Sequence, residues 1–194
     1  MILNKKIYAI IPARGGSKRL KRKNIHLING KPMIEWAISA CKNSKFIDKC
    51  FVSSEDREIL DIAINAKVET ILRPLHLSED HVYKQDAIVH ATSEILEKNL
   101  NPSIIISLQA NSPEISEVDL DSAIEKFIKF DRNEMFSVDK NLIQNAAFRI
   151  MKVNYVFQKT LSTKCGVYIT DYMDIHTIDD VKSVEKRMSK KNVP

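Results

Sequence analysis

The feature that most restricts this chain is an apolar run, Ile7–Ile11, that stops at Pro12 and passes straight into a glycine pair and a basic stretch, Ala13-Arg-Gly-Gly-Ser-Lys-Arg-Leu-Lys-Arg-Lys-Asn24. A continuous apolar run bounded by proline and glycine reads as a strand buried on both faces. Such a strand needs helices above and below it, and the following residues supply them. Met33, Ile34, Trp36, Ala37, Ile38 and Ala40 follow Pro32, which fits a helix with proline at its first position. Asp56–Asn65 carries Ile59, Leu60, Ala63 and Ile64 at helical spacing, and Gln85–Leu100 carries Ala87, Ile88, Ala91, Ile95 and Leu96 on one helical face. Between these helices, Cys50–Ser53, Val68–Leu72 (closed by Arg73-Pro74) and Ile104–Leu108 read as further strands. The alternation predicts a three-layer, Rossmann-like α/β fold with a mostly parallel central sheet. In open sheets of this kind ligands bind beyond the carboxyl ends of the strands. The basic stretch leaves one of those ends.

The 194 residues suit a single domain over 1–194, with core enough to need no disulfides. In the last third, Val118–Phe130 reads as a helix and Met135–Val138, Ala146–Ile150 and Gly166–Ile169 as strands. Thr177 with Asp180 has the form of a capping box opening a helix through Val181, Val184 and Met188, and Lys190–Pro194 reads as a frayed tail. Cys41, Cys50 and Cys165 are odd in number and lack metal spacing, which suits unpaired thiols in a reducing compartment. No apolar stretch approaches the roughly 20 residues of a membrane helix. Lys5 and Lys6 ahead of Ile7–Ile11 make too short a run for a secretory signal. A cytoplasmic protein with no membrane partner is the expectation.

The net charge of +5 and pI near 9.0 come largely from one place, since Lys18–Lys23 alone contributes five basic residues. Such a cluster serves a polyphosphate as readily as a nucleic acid. No aromatic residues are interleaved there for stacking on bases, which argues against nucleic acid. Gly15 and Gly16 allow a tight turn that brings backbone N–H groups near an anion. Ser17 adds a hydroxyl donor, and Arg14, Lys18 and Lys23 add positive charge. A triphosphate needs that neutralisation before its α-phosphorus can be attacked. The loop is not of the Walker A type, because G-x-x-x-x-G-K-[ST] is absent. Asp174-Ile175-His176 offers two metal-ligating side chains two residues apart, which on a strand point to one face. His26, His76, His81 and His90 show no ligand spacing, and Trp36 reads as core.

The segment IPARGGSKRLKRKN, with Asn29-Gly30-Lys31-Pro32-Met33 after it, resembles the signature of the CMP-sialic acid synthetases, or acylneuraminate cytidylyltransferases. That family includes the enzymes for pseudaminic and legionaminic acids and is related to the Kdo-activating enzymes. The likeness continues at Val52-Ser53-Ser54-Glu55, at Leu72-Arg73-Pro74 with Leu77 and Asp80, and at Leu108-Gln109-Ala110-Asn111-Ser112-Pro113. The resemblance implies transfer of CMP from CTP to a nonulosonic-type sugar acid, on a nucleotide-diphospho-sugar transferase-like fold, by a homodimer using Mg²⁺, with Mn²⁺ as a substitute. It implies catalytic and nucleotide-binding roles for Arg14, Lys18 and Lys23 on the CTP phosphates. Ala13, Gly15, Gly16, Ser17 and Asn24 would hold the same nucleotide. Ser53 would lie near cytosine and ribose, and Gln109 and Ser112 near the sugar acid.

Asp80 matches the family too, and reads equally as a carboxylate at the start of the following helix. At Asp174-Ile175-His176 the family usually shows D-x-D, binding Mg²⁺. Asp174 keeps the ligand, while His176 stands where a second aspartate is usual, either in a weak or water-mediated role or as a plain loop residue. Lys164 either supplies charge for the acceptor carboxylate or is a surface lysine. Glu114-Ile115 stands where the family often has Leu-Arg, so a cation is lost. The region of about 135–175, which resembles an acceptor and dimerisation region, is shortened. A nucleotide-binding homologue without catalysis, acting as a regulatory or assembly partner, is the alternative those departures leave open.

Overall fold

The structure, a computed structural model, describes residues 5–191, so 192–194 of the expected tail lie outside the described residues. The opening run forms β1 (Ile7–Pro12), and β2 (Leu27–Ile28) and β3 (Lys31–Pro32) make a small antiparallel hairpin after the basic loop. Then follow α1 (Met33–Asn43), β4 (Lys49–Ser54), α2 (Arg57–Asn65), β5 (Glu69–Leu72), α3 (Lys84–Glu97), β6 (Ile104–Leu108) and α4 (Glu117–Lys129). The last third contains β7 (Glu134–Val138), β8 (Gln144–Lys152), β9 (Cys165–Ile169) and α5 (Ile178–Lys191). Lys190 and Lys191 therefore extend α5. Pro32 is the residue before α1 rather than its first helical position, because it still pairs with Leu27 in the hairpin.

The seven-stranded sheet has the order β5-β4-β1-β6-β8-β7-β9, with β8 antiparallel to both neighbours and the other strands parallel. Side chains alternate across β1 with period two. Ile7, Ala9 and Ile11 enter a core with Ile34, Ala37 and Ile38 of α1, Ile59 and Ala63 of α2, and Leu120, Ala123 and Phe127 of α4. Tyr8 and Ile10 enter the opposite core with Ile88, Ala91 and Ile95 of α3. Both faces of β1 are thus dry, which is why its sequence is apolar without alternation.

A third, smaller core shapes the site. Leu20 of the basic loop packs with Ile28, Met33, Ile175 and Val181, Val184 and Met188 of α5. This cluster ties the basic loop to the segment carrying Asp174. The capping box at α5 forms as expected: Asp180 accepts from the Thr177 N–H at 2.8 Å, and the Asp180 N–H donates to Thr177 Oγ1 at 3.3 Å. The cysteines are free, and Cys41 and Cys50 are buried. Among the described residues, no helix is long and apolar enough to cross a membrane.

Candidate active site

Beyond the carboxyl ends of β1 and β6 lies a cleft of about 240 Å³, open to solvent. Arg14, Gly16, Ser17, Lys23 and Asn24 from the basic loop line it, facing Arg73, Asp80, Lys84, Gln109 and Asn111. An adjoining recess is lined by Arg14, Ser17, Lys18, Arg19, Lys23, Asp80 and His176.

The loop is held in shape by bonds that spend some of the groups expected to bind ligand. The Ala13 N–H continues the pairing of β1 onto the Ser53 carbonyl at 3.0 Å. The Gly15 N–H donates to Glu55 Oε1 at 2.8 Å, so that donor faces a carboxylate of the protein rather than the cleft. Gly15 and Gly16 do not adopt the left-handed conformation; among the described glycines only Gly30 does, at φ 76°. The physical need for glycine at 15 is space: a Cβ there would lie 2.1 Å from Asp56 Oδ2 and 2.9 Å from Asp56 Cβ. Gly16 has open space around it and lines the cleft. Asn24, nearly buried, closes the loop by donating Nδ2 to the Arg14 carbonyl at 2.8 Å.

Two residues absent from the predicted site complete this scaffold. Arg73 is 5% exposed and donates Nη2 to Glu55 Oε2 at 2.9 Å and Nε to Ser78 Oγ at 2.9 Å. Burial works against the Glu55 charge, but the hydrogen bonds from Arg73, Ser78 and backbone N–H groups prevail and hold its carboxyl below the usual range. Glu55 therefore links the loop after β1, the end of β4 and the turn before α3. Losing one partner of so buried a pair typically costs about 3–5 kcal/mol.

Asp80 does not serve the start of α3, which begins four residues later. Its carboxylate lies between two cations of the loop, 3.0 Å from Arg14 Nη2 and 2.5 Å from Lys18 Nζ. These contacts, Lys18 first, hold the Asp80 carboxyl below its ordinary value. The pair can therefore grip a two-oxygen anion from both sides, as a phosphate would require.

On the other wall Asp174 takes hydrogen bonds from Gln109 Nε2, at 3.0 Å, and from Ser112 Oγ. Burial lifts its carboxyl above the ordinary value, opposed by the Ser112 bond and by the charges of His176, Lys84 and Lys23. Burial likewise lowers the Lys23 and Lys84 ammonium groups, with Asp174 acting in the opposite sense on each. Solvent reaches Lys84 through the open mouth of the cleft although protein crowds its ammonium on the remaining sides.

Several sequence expectations are corrected here. Residues 171–176 join no sheet, so Asp174 and His176 do not share a strand face. Their segment is held instead by Asn111, whose carbonyl accepts from the Ile175 N–H at 2.9 Å and whose Nδ2 donates to the Ile175 carbonyl at 3.1 Å. The His176 ring turns its Nδ1 to Arg19 Nη2, 3.1 Å away. Ser53 is fully buried within β4 and does not line the cleft, and Ser112, also fully buried, positions Asp174. Lys164 precedes β9, which runs parallel to β7 and hence to β6, so it stands at the opposite rim and pairs with Asp131 at 3.2 Å. Glu114, where the family often has leucine ahead of its cation, is structural: its carboxylate accepts from Arg187 Nε at 2.9 Å and from the Met173 N–H at 3.1 Å, anchoring α5 beside Asp174. Among the described residues no cluster of three or more His, Cys, Asp or Glu could hold a metal unaided.

The profile of a family described as Cytidylyltransferase matches residues 8–175. A pseudaminic acid cytidylyltransferase of Campylobacter jejuni is 35% identical over 129 residues, 66% of this chain and 56% of that protein. A CMP-N,N'-diacetyllegionaminic acid synthase of Legionella pneumophila is 33% identical over 112 residues, 56% of this chain and 47% of that one. The chain thus spans about half the length of these curated relatives. In fold it is similar to a solved CMP:2-keto-3-deoxy-manno-octonic acid synthetase complexed with CTP, with a TM-score of 0.78, 14% identity, and 96% and 99% of the two chains covered.

Proposed function

The chain belongs to the cytidylyltransferase family, and on that premise we propose that it transfers CMP from CTP to a 2-keto-3-deoxy sugar acid of the sialic, legionaminic or pseudaminic type, releasing pyrophosphate. The observation that carries the reading is the pair Arg14 and Lys18 closing on one carboxylate at the mouth of the β1 cleft. A phosphate of the donor takes that place. Arg14, Lys18 and Lys23 then neutralise the triphosphate, while Gly16, Ser17 and Asn24 form the floor beneath it. In the transfer, the acceptor hydroxyl oxygen bonds to the α-phosphorus and the bond from that phosphorus to its bridging oxygen breaks. Pyrophosphate leaves with the electron pair, and the hydroxyl proton passes to water in the cleft. Positioning and electrostatics supply most of the rate in such transfers.

Magnesium, or manganese in its place, belongs to the same proposal. Asp174 fits a hard cation, being an oxygen donor oriented by Gln109 and Ser112 in a cleft open to phosphates. Mg²⁺ commonly takes one or two carboxylates together with substrate phosphates, and its chemistry when bound is to neutralise their charge. His176 does not fit, because imidazole is a poor ligand for Mg²⁺ and its Nδ1 already faces Arg19. A cytoplasmic setting follows from CTP as donor and from the free cysteines. The exposed Val167 and Ile169 on β9, a sheet edge, together with Leu142 and Ile143, support a homodimer.

The test is pyrophosphate release from the purified protein with CTP, Mg²⁺ and a panel of pseudaminic, legionaminic and N-acetylneuraminic acids. Release with one acid supports the reading. CTP binding without release across the panel, with Mn²⁺ also tried, would favour a nucleotide-binding homologue without turnover, and an absence of CTP binding would refute both.

A further inference from the structure

We propose that Lys84, the first residue of α3, holds the carboxylate of the acceptor sugar acid and so selects acids over neutral sugars; this rests on the reading above. Lys84 lines the main cleft beside Gln109 and Asn111, across from Arg14 and Lys23 of the basic loop. No hydrogen bond or ion pair engages its ammonium among the described residues, although Asp174 and Arg149 are close enough to act on it electrostatically. Other lysines of the chain have direct carboxylate partners, as Lys152 and Lys164 have in Asp131 and Lys49 has in Glu69. An ammonium that lines an open cleft and lacks such a partner is set for an anion that arrives with a ligand.

The scaffold around Lys84 is fixed. The next residue, Gln85, accepts from Arg149 Nη1 at 2.9 Å and donates Nε2 to the Val156 carbonyl at 2.7 Å, clamping the first turn of α3 onto β8 and the turn that follows it. Arg149 is in turn tied to Glu134 and lies over the Phe136 ring at 4.8 Å. Arg149 is thereby committed to the fold, and Lys84 is the uncommitted cation on that wall.

Asp174 feels two ammonium groups, and they divide the cleft. Lys23 belongs to the loop with Arg14 and Arg19, the side of the phosphates. Lys84 belongs to the side of Gln109 and Arg149. In the cyclic form of a 2-keto-3-deoxy acid the attacking hydroxyl and the carboxylate are both carried by the anomeric carbon. With the hydroxyl at the α-phosphorus, the carboxylate falls on the flank of Asp174 away from the loop, where Lys84 stands. The cation lost at Ile115, where the resemblance leads one to expect arginine, is then supplied from a different element, α3.

The experiment compares the wild type with Lys84→Met and Lys84→Arg, using whichever acid of the panel supports turnover and the C1 methyl ester of that acid. Lys84→Met is expected to raise KM for the acid about 10- to 100-fold, the size of a lost charge-assisted hydrogen bond. KM and Kd for CTP should stay within about twofold, on the ground that the loop cations hold the phosphates. Wild type should prefer the acid over its ester, Lys84→Met should lose most of that preference, and Lys84→Arg should keep it. An unchanged acid-to-ester ratio in Lys84→Met would overturn the proposal, and so would a weakening confined to CTP, which would place Lys84 on the triphosphate. If the wild type turns over none of the acids, the reading of the function fails first and this assignment with it.

Discussion

Replacing Gly15 by alanine tests the packing on which the basic loop depends. The added methyl would lie 2.1 Å from Asp56 Oδ2, 2.8 Å from its Cγ and 2.9 Å from its Cβ, so rotation of the carboxylate tip alone does not relieve the clash. Asp56 caps α2, accepting from the Glu58 and Ile59 N–H groups at 3.0 and 3.3 Å, and it pairs with Arg22 Nη1 at 2.7 Å. Displacing it forfeits an N-cap worth about 1 kcal/mol. The partly exposed ion pair adds no more than about 1 kcal/mol. A total of about 1–2 kcal/mol corresponds to a fall in Tm of about 2–8 °C for a domain of this size. Circular dichroism melting of Gly15→Ala, Asp56→Ala and the double variant forms a complete cycle. Shortening Asp56 removes the contacts to Oδ2 and Cγ and leaves only the 2.9 Å approach to Cβ, so part of the cost of the methyl should vanish and the two changes should be non-additive. The loop displacement should also weaken CTP binding in the single variant. An unchanged Tm in Gly15→Ala, or additive losses in the double variant, would refute the account of why glycine is needed there.

Lys18→Ala should weaken CTP binding about tenfold, read by calorimetry, with a smaller dependence on salt than the wild type. Asp80→Asn removes the carboxylate that competes for Arg14 and Lys18, so pyrophosphate should bind a few-fold more tightly; weaker binding would show that Asp80 helps to hold the phosphates. Because Glu55 is held below its ordinary value of 4.5 in the folded chain, it contributes stability above that value and loses it as the pH falls through its lowered folded value. Glu55→Gln should therefore lower Tm near neutrality and flatten the acid side of a Tm-against-pH curve. Asp174→Asn should abolish pyrophosphate release at saturating CTP and acceptor while metal-free CTP binding persists, and retained turnover would remove Asp174 from the metal proposal.

Much of this was readable in the linear chain because the relevant forces are local. Continuous burial of Ile7–Ile11, helical spacing in α1 to α4 and the Thr177–Asp180 capping pair are patterns within a few residues, and each formed where expected. The basic loop was legible for the same reason, since its charges are consecutive. Failures began where a role depended on a distant partner. Residues 171–176 join no ladder: Ile175 is bonded to Asn111, the Met173 N–H to Glu114 and the His176 N–H to Asp180, and spacing cannot tell such a segment from a strand. Lys84 looks in sequence like any solvated lysine at a helix start, while Arg73 and Glu55 lie 18 positions apart.

Pattern and composition were thus sufficient for the layers of the fold, the rim that carries the cleft and the cations of its loop, all set by short-range propensity and burial. Which of those groups remain available to a ligand was settled by long-range packing. Strand order put Lys164 at the far rim, the approach of β4 gave the Gly15 N–H to Glu55, and the small core joining Leu20 to α5 brought Asp174 to the cleft. A hydrogen-bonding group serves chemistry or architecture according to what stands opposite it, and that is a property of three-dimensional contact.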